Sequence, residues 1–166
     1  MIEIGQIKQI YRYPVKSMAG EELTSAELGW HGIKGDRRFA FMRMGTMSDF
    51  PWLTASKMPD LIRYKAYHSN GNNPSSPTVR VRIPEGADLE VGDESLRKEI
   101  AASFGAEVSL IRIGNGIFDD APISLISTTT IKIIGTELGC TLDVRRFRPI
   151  FWLNRLETRL SMKMNG

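Results

Sequence analysis

The 166-residue sequence holds one cysteine, Cys140, and two histidines, His31 and His68. A lone thiol closes no disulfide within the chain, and so few soft ligands exclude a histidine–cysteine zinc cluster. No apolar run is long enough to cross a bilayer as a helix, and the opening residues MIEIGQIKQI lack a signal-peptide pattern. A cytoplasmic protein with no membrane contact, in a reducing compartment, is therefore the expectation. Three familiar loops are also missing: the GxGxxG dinucleotide loop, the Walker phosphate loop and the GxSxG nucleophile elbow. The acidic pairs Glu21-Glu22 and Asp119-Asp120 are neighbours in sequence. On a strand their carboxylates point to opposite faces, so neither pair forms a shared acid/base site.

What is present is ordinary in amount and uneven in placement. Hydrophobic residues make up 42% and charged residues 25%, as in a soluble globular chain of one domain with a real core. The net charge is +3. From Thr141 onward six basic residues (Arg145, Arg146, Arg148, Arg155, Arg159, Lys163) accompany two acidic ones (Asp143, Glu157), a local charge of +4 that leaves −1 for the rest. Such a patch suits phosphate or another anion, although solvated surface is its commoner meaning. Beside Phe147, Phe151 and Trp152 it could combine phosphate contacts with base stacking. No nucleic-acid motif accompanies it and the remainder is near neutral, so nucleic acid is not the expected partner.

Strand patterns dominate. Tyr11, Tyr13 and Val15 alternate with Arg12 and Pro14, and the proline, which lacks an N–H, predicts that this strand ends or lies on an edge there. "ELTSAEL" reads as a second strand, "GWHGIKGD" as loop and "RRFAFMRM" as a third strand. "LIRYKAYH" and "TVRVRI" predict a hairpin joined by an exposed tip, "SNGNNPSSP", with Val79, Val81 and Ile83 opposite Arg80 and Arg82. Two segments break this pattern. "GDESLRKEIAASFG" predicts a helix with Asp93 as N-cap, Leu96, Ile100 and Phe104 on one face, and Gly105 as stop. "APISLISTTTIKIIGTELGC" predicts strand to about Ile126 and then helix to Leu138, capped by Ser127 and ended by Gly139. Ser127, Thr128 and Thr129 would then sit on the free N–H groups of a helix N-terminus, which attract anions. In the tail, Leu156, Leu160 and Met164 recur every four residues, the spacing of a short amphipathic helix.

Cations and small hydroxyls gather at element ends: Lys16-Ser17, Asp36-Arg37-Arg38, Ser127-Thr128 and Arg145-Arg146-Phe147-Arg148-Pro149. Each has a plain reading. Lys16 alone is a solvated strand-end lysine, Arg37 and Arg38 are one exposed and one packed arginine, and Ser127 is a helix cap. "RRFRP" alternates like an amphipathic strand, and Cys140 is a small buried hydrophobe. Spacing alone does not show that these groups converge. Lys16 is also the amine on which pyridoxal phosphate would form an aldimine.

"YPVKSMAGEEL" followed by "GIKGDRRFAFM", "WLTASKMPDLI", "APISLIST" and "RRFRP" together resemble the ordered motifs of MOSC-domain proteins, named after the C-terminal region of molybdenum-cofactor sulfurases. "WLTASKMPDLI" is similar to that family's TARQ-x-P-x-L stretch, "APISLIST" to its P-x-x-L-x-S segment and "RRFRP" to its FRPN signature. The resemblance implies a mostly β, α+β protein of barrel-like architecture that binds molybdenum cofactor (molybdopterin) or a related phosphorylated ligand. It implies one MOSC-like unit over residues 1–166, with an N-terminal β-barrel segment to about residue 90 and the start of the MOSC core from about residue 91. Relatives include the sulfur-carrying domain of cofactor sulfurases and the mitochondrial amidoxime-reducing component, an oxidoreductase. The positions matching the family's cofactor contacts are Lys16, Ser17, Arg37, Ser127, Thr128 and Arg148. Paired cations, hydroxyl donors and a helix N-terminus are what a phosphate needs.

Two departures stand beside the match. The family's FRPN asparagine is Ile150 here. Relatives also continue to a cysteine that ligates molybdenum or carries sulfur, whereas Cys140 precedes the "RRFRP" motif. The expectation is therefore a truncated product or a degenerate or shortened family member, a barrel incomplete at its C-terminal end with unpaired strand edges that favour a homo-oligomer. It is also a ligand-binding module in which no catalytic or metal-ligating residue is assigned, whether sulfur carrier, oxidoreductase or inert.

Overall fold

Pro14 ends the first strand as predicted. β1 runs over Gly5–Arg12 in the computed structural model, which describes residues 5–69 and 78–155. It is followed by β2 (Glu21–Leu23), a small hairpin of β3 (Leu28–Gly29) and β4 (Gly32–Ile33), and β5 (Phe39–Arg43). Next come β6 (Lys65–Ser69), β7 (Thr78–Arg82), β8 (Asp88–Glu90), α1 (Glu94–Phe104) and β9 (Val108–Arg112). β10 (Leu125–Ser127), α2 (Thr128–Leu138) and β11 (Phe151–Arg155) complete the described chain. The architecture is mostly strand with two α-helices, an α+β fold. No described helix is long and apolar enough to cross a membrane.

The strands form ladders in the orders β10-β11-β1-β2, β3-β4, β5-β9 and β6-β7-β8. β10 runs parallel to β11, and the other pairs are antiparallel. Isolated bridges Val15↔Phe39 and Ala19↔Lys65 carry the pairing from the residues after β1 to β5 and β6. Among the described residues these ladders do not close into one continuous barrel.

Two apolar clusters form the core. Val15, Met18, Phe41, Leu61, Val81 and Ile100 belong to one, and Tyr11, Tyr13, Ile33, Ile131, Val144 and Ile150 to the other. The chain crosses between them at Pro14. Burying a large apolar side chain is worth roughly 1.5–3 kcal/mol, so Tyr13 and Val15 pin this crossing from both sides.

Both helix predictions match in cap and stop. The Asp93 carboxylate accepts from the Ser95 N–H at 2.7 Å, Leu96 and Ile100 are buried, and Gly105 takes φ 81°. Ser127 caps α2 by accepting from the Thr130 N–H, and Gly139 ends it in the left-handed region. The predicted hairpin is β6 with β7, where Ala66 faces Val81 and Tyr67 faces Arg80. The first residue of its predicted tip, Ser69, still belongs to β6, whereas the rest of the tip, 70–77, and the predicted tail helix lie outside the described residues.

Other expectations need correction. "LIRYKAYH" begins as a 3-10 turn over Pro59–Arg63, with Pro59 at its start, and only then becomes β6. "ELTSAEL" is not one strand: only Glu22 and Leu23 belong to β2, and Leu28 already opens β3. "GWHGIKGD" contains the β3–β4 hairpin rather than loop alone. "RRFRP" is not an amphipathic strand: Asp143 caps a 3-10 turn over Val144–Phe147 by accepting from the Arg145 N–H at 2.9 Å. Cys140 is exposed, because it follows the Gly139 stop and leaves the packed face of α2.

Candidate functional site

Three non-glycine residues among those described hold a positive φ: Ser17 at 65°, Arg37 at 48° and Arg148 at 49°. All three are predicted ligand contacts. A left-handed backbone costs an L-residue about 1–2 kcal/mol, and such strain persists where surrounding structure over-determines it. The local bonds show how. The Lys16 N–H donates to the Phe39 carbonyl at 2.8 Å and the Met18 N–H to the Val15 carbonyl at 3.3 Å, which folds Ser17 into a tight turn. The Arg37 N–H donates to the Tyr13 carbonyl at 2.7 Å. The Tyr13 N–H in turn donates to Asp36 Oδ1 at 2.7 Å. The Arg148 N–H donates to the Arg145 carbonyl at 3.1 Å, closing the 3-10 turn.

These turns deliver three cations to one place. The guanidinium carbons of Arg37 and Arg148 lie 5.1 and 4.3 Å from the centroid of the Tyr13 ring. Arg37 Nη2 donates to the Arg148 carbonyl at 3.3 Å, and its Nη1 donates to Asp36 Oδ2 at 2.6 Å. Arg148 Nη1 donates to the Met18 carbonyl, one residue beyond Ser17. Lys16 is 4% exposed, and its Nζ donates to Asp119 Oδ1 at 2.6 Å. It also stands 5.6 Å from the centroid of the Phe50 ring. The solvated strand-end lysine read from the sequence is thus a buried cation, because the turn at Ser17 carries it inward.

Lys16, Arg37 and Arg148 meet two carboxylates, Asp36 and Asp119, so the cluster keeps a positive excess. Burial, and then the neighbouring Arg37 charge, pull the Arg148 guanidinium down to about 10. Burial also pushes the Asp36 carboxyl up, against Arg37 and the Tyr13 N–H, and raises the Tyr13 phenol. Arg148 Nη2 is buried with no hydrogen-bond partner among the described residues. A buried charged donor without an acceptor is costly, and an anion would relieve it. A cleft of about 970 Å³ reaches the same Tyr13 and Arg148, with Tyr11, Lys65, Arg82 and Arg146 also in its walls.

Ser127 and Thr128 stand apart from this cluster. Ser127 pairs with Leu153, and its hydroxyl is engaged with the N–H and hydroxyl of Thr130. The Thr128 hydroxyl donates to the Leu153 carbonyl at 3.1 Å. The hydroxyl that touches the Arg148 turn belongs to Ser124: its Oγ accepts from the Ile150 N–H at 3.1 Å and donates to the Arg148 carbonyl at 3.4 Å. Three residues of strand, about 10 Å, separate the two serines. Ile150, in place of the family's asparagine, is fully buried.

Sequence reasoning passed over Tyr13, Asp36, Asp119 and Ser124 as site residues. Only Asp36 carried a signal, its position directly before Arg37. Among the described residues no group of three or more histidine, cysteine or carboxylate side chains is placed to hold a metal ion. Cys140 lies beyond the C-terminal end of α2, about 16 Å of helix from the Ser127 end.

No curated protein matches the chain at a significant level. A family model described as the MOSC N-terminal beta barrel domain matches residues 4–113, which takes in Lys16, Ser17, Asp36 and Arg37. With well over half of its length matched, the chain belongs to the MOSC family.

Proposed function

We propose that this protein binds a small phosphorylated ligand at Lys16, Ser17, Arg37 and Arg148, and that the first candidate is the family's molybdenum cofactor, molybdopterin. The observation that carries the reading is the buried Arg148 Nη2, which lacks an acceptor within a cluster of net positive charge. A phosphate offers several oxygens and up to two negative charges, and two arginines engage it through planar forks. Bound there, the cofactor would supply molybdenum redox chemistry. The chain's own residues would neutralise and orient its phosphate. Ser127 and Thr128 would be reached only by a ligand that extends along β10.

The ion pair of Lys16 with Asp119 favours a phosphate-binding cation over an aldimine-forming amine. The basic segment offers little for nucleic acid, since Arg145 is paired with Asp143 and the half-buried Arg148 is turned onto the Met18 carbonyl and the Tyr13 ring. No cysteine lies in the cluster, so sulfur transfer forms no part of this proposal.

Two measurements test it: pterin and molybdenum content after purification from a cofactor-producing host, and calorimetric titration with inorganic pyrophosphate. Retention of pterin by the wild-type protein and its loss in Arg148→Met are expected. Absence of pterin together with identical pyrophosphate heats for the two proteins would sink the reading.

A further inference from the structure

The segment between β9 and β10 closes over the cation cluster. The Ile113 N–H donates to the Arg38 carbonyl and the Ile117 N–H to the Arg37 carbonyl, both at 2.9 Å, and Ile117 is buried. Gly116 takes φ 89°, and a β-carbon there would overlap the Phe118 ring. Glycine therefore lets Phe118 fold back, with its ring centroid 5.9 Å from the Arg37 guanidinium carbon. The next residue, Asp119, holds the Lys16 ammonium. The Asp119 charge also acts on Arg148, opposing the effect of burial. Two consecutive side chains thus address all three cations.

The attachment is lopsided. Lys16 is 4% exposed, whereas Asp119 is 75% exposed, so the carboxylate reaches in from solvent to a charge that cannot reach out. From Phe118 to Ile123 no backbone group hydrogen-bonds to another described residue. The tip is held by its side chains. An ionised carboxylate stands where the nearest cation would meet an anionic ligand, and a buried ammonium left without any partner is unfavourable.

We propose that residues 114–120 form a strap that closes the anion site from within, with Asp119 as an internal competitor that an incoming phosphate group displaces. The inference rests on the anion-site reading above and adds regulation to it. A phosphate group engages Lys16, Arg37 and Arg148 together, while the carboxylate neutralises one of them at contact. The strap therefore discriminates by charge: a dianion displaces it and a monoanion does not.

Two measurements at one pH test the strap, with inorganic pyrophosphate as probe. Hydrogen–deuterium exchange of the wild-type protein should quicken at the Gly116 and Ile117 amides, which donate to the Ile113 and Arg37 carbonyls, when pyrophosphate binds, because the strap is released. Calorimetry should show pyrophosphate binding at least about tenfold tighter to Asp119→Asn, since a competing charge is gone. Binding to the wild type with slower or unchanged exchange at Gly116 and Ile117 overturns the strap and leaves the anion site standing. Equal or weaker binding to a folded Asp119→Asn protein does the same. If neither protein binds pyrophosphate, the anion site itself falls and the strap with it. Should Asp119→Asn fail to fold, the wild-type exchange experiment decides alone.

Discussion

The Tyr13 ring is the floor under Arg148: the guanidinium carbon lies 4.3 Å from the ring centroid. The same residue's hydroxyl donates to the Pro149 carbonyl at 3.2 Å. One side chain therefore fixes both the charge and the turn that carries it. Arg37 shares the ring at 5.1 Å, so one π system attracts two like charges. Attraction of this kind is worth about 0.5–2 kcal/mol per cation, more when water is excluded.

Ring and hydroxyl separate by substitution. Tyr13→Phe removes one hydrogen bond to the Arg148 turn and should cost about 1 kcal/mol in urea unfolding, with pyrophosphate binding falling less than in the ring-less variant. Tyr13→Leu removes the π face and should weaken pyrophosphate binding about tenfold, one cation–π contact's worth. Equal binding by both variants would show that the ring plays no electrostatic part.

Lys16 offers a cleaner test of binding against stability. Lys16→Met keeps the length and the apolar stem, and it leaves Asp119 largely exposed and able to hydrate. Replacing a buried ion by an apolar side chain of similar volume is often neutral in stability. The variant should unfold within about 1.5 kcal/mol of wild type and lose most of its pyrophosphate affinity. A large loss of stability with affinity retained would make Lys16 a structural residue instead.

Arg148 predicts a pH signature. Its guanidinium, pulled down to about 10 by burial and by Arg37, releases its proton more readily folded than unfolded. Its contribution to stability is therefore unfavourable below pH 10 and eases as pH rises through that value. A bound anion favours the charged form, so binding at pH 10 should take up protons, and affinity should fall at higher pH. Calorimetry with sulfate, which does not titrate there, in two buffers of different ionisation enthalpy reads the uptake. Arg148→Met should abolish it.

The elements that were legible in the sequence are those decided locally. Asp93 with Gly105 and Ser127 with Gly139 mark both helices because capping is settled within a few residues. Pro14 ends β1 for the same kind of reason. The burial of Lys16 was not legible, since it depends on Asp119, more than a hundred residues along the chain. The left-handed backbone of Arg148 was not legible either. Alternation in "RRFRP" suggests a strand, and only the Asp143 cap and the Tyr13 floor impose the turn. Motif order alone relates Lys16, Ser17, Arg37 and Arg148, and it also points to Ser127 and Thr128, which lie at the far end of β10 and the start of α2.

That register yields a last contrast, between Ser124 and Ser127. Ser127→Ala removes a helix cap and should cost about 1 kcal/mol, while pyrophosphate binding stays as in wild type because the hydroxyl serves α2. Ser124→Ala removes the hydroxyl that ties the Ile150 N–H to the Arg148 carbonyl. Its stability cost should be similar, about 1 kcal/mol, yet it frees the strained turn that aims Arg148. Affinity for pyrophosphate should therefore fall several-fold in Ser124→Ala and not in Ser127→Ala. The reverse order, measured by calorimetry on the two folded variants, would move the proposed anion site from the Arg148 turn to the N-terminus of α2.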